Sequence, residues 1–141
     1  MKVNLLSALC MLAAFGLTAS QPLRRPTAEG YVFERDSEVA KPGPGQHQGL
    51  GTTVGYSFFE KAPGYKFAFR KRVLPPGTSI GYHAQKIDEV YYILSGTGLM
   101  TINGKEMPVK SGDAILTRPG SSHGLVQTGT EDLALVITYE K

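Results

Sequence analysis

The chain has one cysteine, Cys10, no tryptophan, and only three histidines in 141 residues. Cys10 sits in an apolar N-terminal stretch that is expected to be removed, so the mature chain would carry no thiol. That excludes a disulfide framework, a cysteine nucleophile and thiolate ligation of a metal. An excess of one charge is also missing, since 15 basic and 12 acidic side chains leave a formal net charge of +3. Apart from Arg24–Arg25 and Arg70–Lys71–Arg72 the basic residues are scattered. No stripe of the kind a phosphate backbone needs is present, and nucleic acid is not expected as a partner. No stretch has a helical period and no block repeats. The length allows one domain with one core, not two.

One apolar run does occur. Lys2 precedes Leu5–Leu17, which is almost unbroken, and the small residues Thr18-Ala19-Ser20 follow. This is the pattern of a secretory signal peptide, and it falls short of the roughly 20 apolar residues a spanning helix wants. Residues 1–20 are therefore read as a signal peptide. The product is expected to be periplasmic or secreted, with no stable membrane insertion after cleavage. Leu9, bulky and directly before Cys10, argues against a lipoprotein anchor. Residues 21–50, rich in Pro, Gly and Gln, read as a flexible N-terminal arm that can dock on the domain or on a neighbouring subunit. His47 lies in that arm with nothing around it to fix its position, and is expected to face solvent.

Seventeen glycines, nine prolines and seven tyrosines suit short strands joined by many turns. Thr52–Phe59, Tyr65–Leu74, Ser79–Gln85, Glu89–Leu94, Gly98–Ile102, Ala114–Thr117, His123–Gln127 and Leu133–Tyr139 read as strands. Asn103-Gly104 is a hairpin signal. Residues 51–141 are thus predicted to be an all-β sandwich or barrel.

Two of the three histidines stand in strands beside residues of ligand type. His83 and Gln85 share strand parity and project to one face. Glu89 can return to the same point across the bend Lys86-Ile87-Asp88, and His123 arrives from a distant strand after Arg118-Pro119-Gly120-Ser121-Ser122. Two imidazoles, an amide oxygen and a carboxylate would make an open N/O site for one divalent transition metal ion. The set suits Zn, Mn, Fe, Ni or Co without choosing strongly among them. Tyr91 has the parity to follow Glu89 inward and to act as a proton donor or acceptor. Arg118, near His123, is the favoured anion-binding group. Arg70 and Arg72 share a face that could hold a carboxylate or phosphate, but a solvated outer face is preferred because buried unpaired arginines are costly.

Gly77, His83, Gln85, Glu89 and Gly96 resemble the first motif of the cupins. Gly112-Asp113, Pro119-Gly120, His123 and Gln127 resemble the second. The resemblance covers roughly residues 66–140 and implies a single cupin-type double-stranded β-helix, a jelly-roll barrel, that pairs as a homodimer. Three departures stand out: Gln127 stands where asparagine is usual, Arg118 replaces the proline that usually opens the second motif's turn, and Gln85 replaces the second histidine of the first motif. Gln85 fits either a variant ligand set, similar to that of some sugar-isomerase cupins, or a site that has lost its metal. The resulting expectation is a metal-dependent isomerase or lyase acting on a small polar substrate, a sugar or organic acid. A metal-dependent dioxygenase and a non-catalytic binding cupin are the alternatives.

Overall fold

A computed structural model of the chain describes residues 30–141. The signal peptide read at residues 1–20, and the first part of the expected arm, lie outside the described residues. Ten strands are present among them: β1 (Ala40–Gly45), β2 (Gly49–Phe58), β3 (Phe67–Leu74), β4 (Ser79–Ala84), β5 (Glu89–Ser95), β6 (Thr97–Ile102), β7 (Lys105–Lys110), β8 (Ala114–Thr117), β9 (Ser122–Gln127) and β10 (Leu133–Glu140). One helical turn, α1 (Asp36–Val39), precedes them, and a single 3-10 turn, Gln46–Gln48, joins β1 to β2. The antiparallel strands form a six-stranded sheet, β1-β2-β3-β10-β5-β8, and a four-stranded sheet, β4-β9-β6-β7. This is the jelly roll that the motifs imply.

Alternation along each strand sends one set of side chains between the sheets. On β10 these are Leu133, Leu135 and Ile137, which meet Leu74, Tyr91 and Ile93 from their own sheet and Ile80, Met100 and Leu125 from the other. Each fully buried leucine or isoleucine there contributes about 1.5–3 kcal/mol. Asn103 and Gly104 both have positive φ and turn β6 tightly into β7, as the hairpin signal predicts.

Two strands were not separately assigned from the sequence, β1 and β7, and they share a cause. Ala-Lys-Pro-Gly-Pro-Gly has no strand former and Lys-Glu-Met-Pro-Val-Lys has only Val109, and both contain proline. Both strands lie at a sheet edge, where a proline removes no ladder hydrogen bond. From Ala40 onward the expected arm is therefore sheet: Ala40–Pro44 pairs in register with Thr52–Tyr56.

Candidate metal centre

The site forms where the two sheets face each other. His83 on β4 and His123 on β9 are direct cross-strand partners, so their imidazoles share one side of the four-stranded sheet. Their rings meet nearly at right angles, 84°, with centroids 4.5 Å apart. Glu89 opens β5 on the opposite sheet, paired with Thr117 of β8. The donor atoms of His83, Glu89 and His123 all lie within 4.8 Å of one another.

Neighbouring groups aim these donors. The His83 Nδ1–H donates to the Gly81 carbonyl oxygen at 2.8 Å, which leaves Nε2 for a ligand. His123 is fully buried, and its Nδ1 hydrogen-bonds Thr117 Oγ1 at 2.6 Å. With that nitrogen donating, the His123 Nε2 lone pair points into the site; this is the arrangement by which outer groups fix a ligand histidine's tautomer. Glu89 Oε2 and His123 Nε2 are both buried with no hydrogen-bond partner among the described residues, although they lie 3.3 Å apart. Donors about 2.1 Å from one ion stand roughly 3–4 Å from each other, so this spacing fits a cation between them. Two buried polar atoms left unpaired are costly unless something fills the gap.

Tyr91 is buried, its ring 4.9 Å from that of His123. Burial, and next the Glu89 carboxylate beside its hydroxyl, push the phenol well above its usual pKa of about 10. It therefore holds its proton at neutral pH. Gln85 lines the same cavity of about 300 Å³ as His83, Glu89 and Tyr91, and the strand parity of His83 and Gln85 brings both to it.

Three expectations change. Arg70 and Arg72 face inward: Arg70 lines the cavity, and the half-buried Arg72 donates to Thr53 Oγ1 at 2.9 Å. Their cost is lowered because Arg72 is hydrogen-bonded and Arg70 lies over the Tyr139 ring, 5.4 Å from its centroid. Desolvation, and then the neighbouring Arg70, lower the Arg72 pKa. Arg118, expected to bind an anion at the mouth, is instead an exposed residue paired with Asp88 at 2.7 Å. It borders a neighbouring hollow with Pro119 and Glu140, not the cavity of His83 and Glu89. Asp88 in the bend before β5 is its ion-pair partner there.

His47 is exposed, as expected, but it does not sit alone. Its ring lies flat on that of His83, with centroids 3.5 Å apart and planes 7° from parallel. It lines the cavity together with Gln46, and the partial desolvation of an otherwise exposed ring, followed by the proximity of His83, lowers its pKa. The nearest signal in the sequence is the glycine spacing around it, Gly45, Gly49 and Gly51, which marks backbone passing close to backbone.

Residues 71–139 match the family model described as the Cupin domain. The chain is 46% identical over 66 residues to the oxalate-binding protein of Thermotoga maritima, a stretch covering 46% of this chain and 54% of that protein. It is 32% identical over 74 residues to an uncharacterized protein of Methanocaldococcus jannaschii, covering 52% and 59%. The chain thus spans little more than half the length of these curated relatives. Among solved structures, a predicted oxalate decarboxylase from Thermotoga maritima superposes with a TM-score of 0.71 at 33% identity, over 77% of this chain and 98% of that one.

Proposed function

The chain belongs to the cupin family, and we propose that it holds one divalent transition metal ion on His83, Gln85, Glu89 and His123 and acts as a lyase or isomerase on a small organic acid. The observation that carries this is the buried, unpartnered pair Glu89 Oε2 and His123 Nε2, converging with His83. When bound, the ion would supply Lewis-acid polarisation of a substrate carboxylate or carbonyl. Glu89 and the two imidazoles would hold it with one net negative charge, and Gln85 would add an oxygen donor without further charge.

Oxalate appears in the names of a similar protein and of a similar solved structure, both from Thermotoga maritima, and the cavity's charged lining supports an acid over a neutral sugar. Arg70 and Lys86 border it together with Glu89, and its volume is at the lower end for small-molecule pockets. Arg70 would grip a carboxylate through two parallel hydrogen bonds. Tyr91, neutral and next to Glu89, would hold or donate a proton at the substrate atom facing it. Ile137 makes part of the wall apolar and limits water.

The test is calorimetry on the metal-loaded mature chain with oxalate and other two- to four-carbon acids, followed by carbon-13 spectra of the mixture. Saturable binding with product formation supports the lyase or isomerase. Binding without turnover supports a holding protein, the reading favoured by the name of the oxalate-binding relative. Arg70→Gln should weaken acid binding, by roughly tenfold or more if a bidentate charged contact is lost, whereas Arg118→Ala should not. Equal effects of the two would place the acid elsewhere.

The outward face of the six-stranded sheet supports a homodimer. Tyr92, Leu116 and Phe69 are exposed there, together with Val54, Val73 and Val136 at positions of the same parity. This largely apolar face, interrupted by Lys71 and its partner Asp36, favours a second copy over water. Leu116→Glu should shift the sedimentation coefficient from dimer to monomer. Export to the periplasm or medium is supported by the composition of residues 1–20 alone.

A further inference from the structure

We propose that His47 is a positioning residue of the metal centre, reaching from the β1–β2 turn to hold the His83 imidazole in its ligating pose. The inference rests on the metal reading above and concerns a residue outside both cupin motifs.

Three observations carry it. The first is the flat stack of His47 on His83, with centroids 3.5 Å apart and planes 7° from parallel. One face of the ligand ring is covered by His47, while its edge is held by the Nδ1–H bond to the Gly81 carbonyl and the His123 ring stands across it at 84°. Rotation of His83 about its ring bond is thus opposed on several sides.

The second is how the turn is seated. A Cβ on Gly81 would run into the His47 carbonyl, and a Cβ on Gly49 into the Ser79 carbonyl. Glycine at both positions lets the turn lie directly on the β4 backbone. The Leu50 amide then donates to Ser79 Oγ at 2.8 Å and pins its exit. Gly81 therefore serves twice: its missing side chain admits His47, and its carbonyl orients His83.

The third is backbone conformation. His47 has φ 51° and ψ 43°, and Gln48 has φ 62°, both in the left-handed region. Glycine would adopt these angles with less strain, and glycines stand at positions 45 and 49 close by. A histidine kept where the backbone favours glycine, with its ring delivered onto a ligand, is the pattern expected of strain used at a site.

The experiment uses the full chain as wild type, His47→Ala, His47→Phe and His47→Leu, titrated with Zn²⁺ and Mn²⁺ by calorimetry. Imidazole NMR spectra and thermal melts of the metal-free forms accompany it. His47→Ala should lower metal affinity roughly ten- to a hundredfold, the loss usual when the support of a ligand histidine is removed. His47→Phe keeps a flat ring and should restore affinity. His47→Leu fills the space without a flat face, should weaken binding as alanine does, and replaces alanine if that variant melts early. The His83 ring resonances of the metal-free protein should move in His47→Ala, because a stacked ring current is removed. Unchanged resonances would overturn the contact itself, whatever the metal does. Unchanged affinity in both the alanine and leucine variants would overturn the positioning role. Phenylalanine weakening binding as much as alanine would also overturn it, by assigning the effect to a His47 nitrogen. If the wild type binds neither ion, the metal reading fails and the positioning role fails with it; moved His83 resonances in the same spectra would show that the turn is nonetheless where the structure places it.

Discussion

Glu89 Oε2 and His123 Nε2 stand 3.3 Å apart, both buried, and make no hydrogen bond to each other or to any other described group. They come from opposite sheets, one from β5 and one from β9, so the packing of the sheets forces them together. Burial keeps water from this carboxylate oxygen, and no described group hydrogen-bonds it. Several expected outcomes follow from that arrangement.

Glu89→Gln should behave in opposite ways with and without metal. In the metal-free protein it removes a buried charge, so its melting temperature should equal or exceed that of the metal-free wild type. Metal at about 100 times its dissociation constant should stabilise the wild type by about 2.7 kcal/mol, and the variant much less. Scanning calorimetry with chelator and with Mn²⁺ checks both halves. A metal-free variant that melts well below the metal-free wild type would show that the carboxylate is already satisfied.

Thr117→Val removes the Oγ1 that holds His123 Nδ1 at 2.6 Å and alters no ligand. Metal affinity should fall roughly ten- to a hundredfold while stoichiometry stays at one ion. Titration followed by elemental analysis separates this from Glu89→Gln or His123→Ala, in which stoichiometric retention itself should be lost.

Gly81→Ala places a methyl group against the His47 carbonyl. The turn must lift from β4, at about 1–3 kcal/mol if the strain is like that of an overfilled core. Denaturant unfolding reads the loss. Alanine at Gly104, where a Cβ meets nothing within 4 Å but φ is 76°, provides a control that separates crowding from left-handed strain.

Leu125→Ala empties a fully buried position on β9, two residues from His123. The loss should be about 2–5 kcal/mol. Because Leu125 packs in the core rather than in the cavity, the surviving folded protein should keep its metal stoichiometry. A fall in stoichiometry without loss of stability would contradict the separation of core from site.

Much of this was legible along the chain. Period-two alternation on β10, the Asn103-Gly104 turn and the parity of His83 with Gln85 and of Glu89 with Tyr91 are local properties, and the strands and facing directions follow from them. Arg70 and Arg72 were legible as sharing a face, but not which face. The sign of that choice depended on Thr53 and Tyr139, which lie far from them in sequence and meet them only across β2 and β10. Arg118 was misplaced for a similar reason, since its partner Asp88 lies thirty residues earlier and only the fold shows that the pair closes. His47 is exposed, as its Pro- and Gly-rich surroundings suggest, but its stacking on His83 was not legible, because such a segment carries no hydrophobic period to show where the turn lies.

By itself the sequence determined that this is an all-β chain with two strand histidines, a glutamate and a glutamine spaced for one N/O site, because strand alternation is set by covalent geometry. Only the tertiary structure decided which nitrogen of each histidine points inward, that Glu89 and His123 are left unpaired, and that His47 closes over His83. Those facts depend on contacts between residues dozens of positions apart, and the register of two packed sheets brings them together.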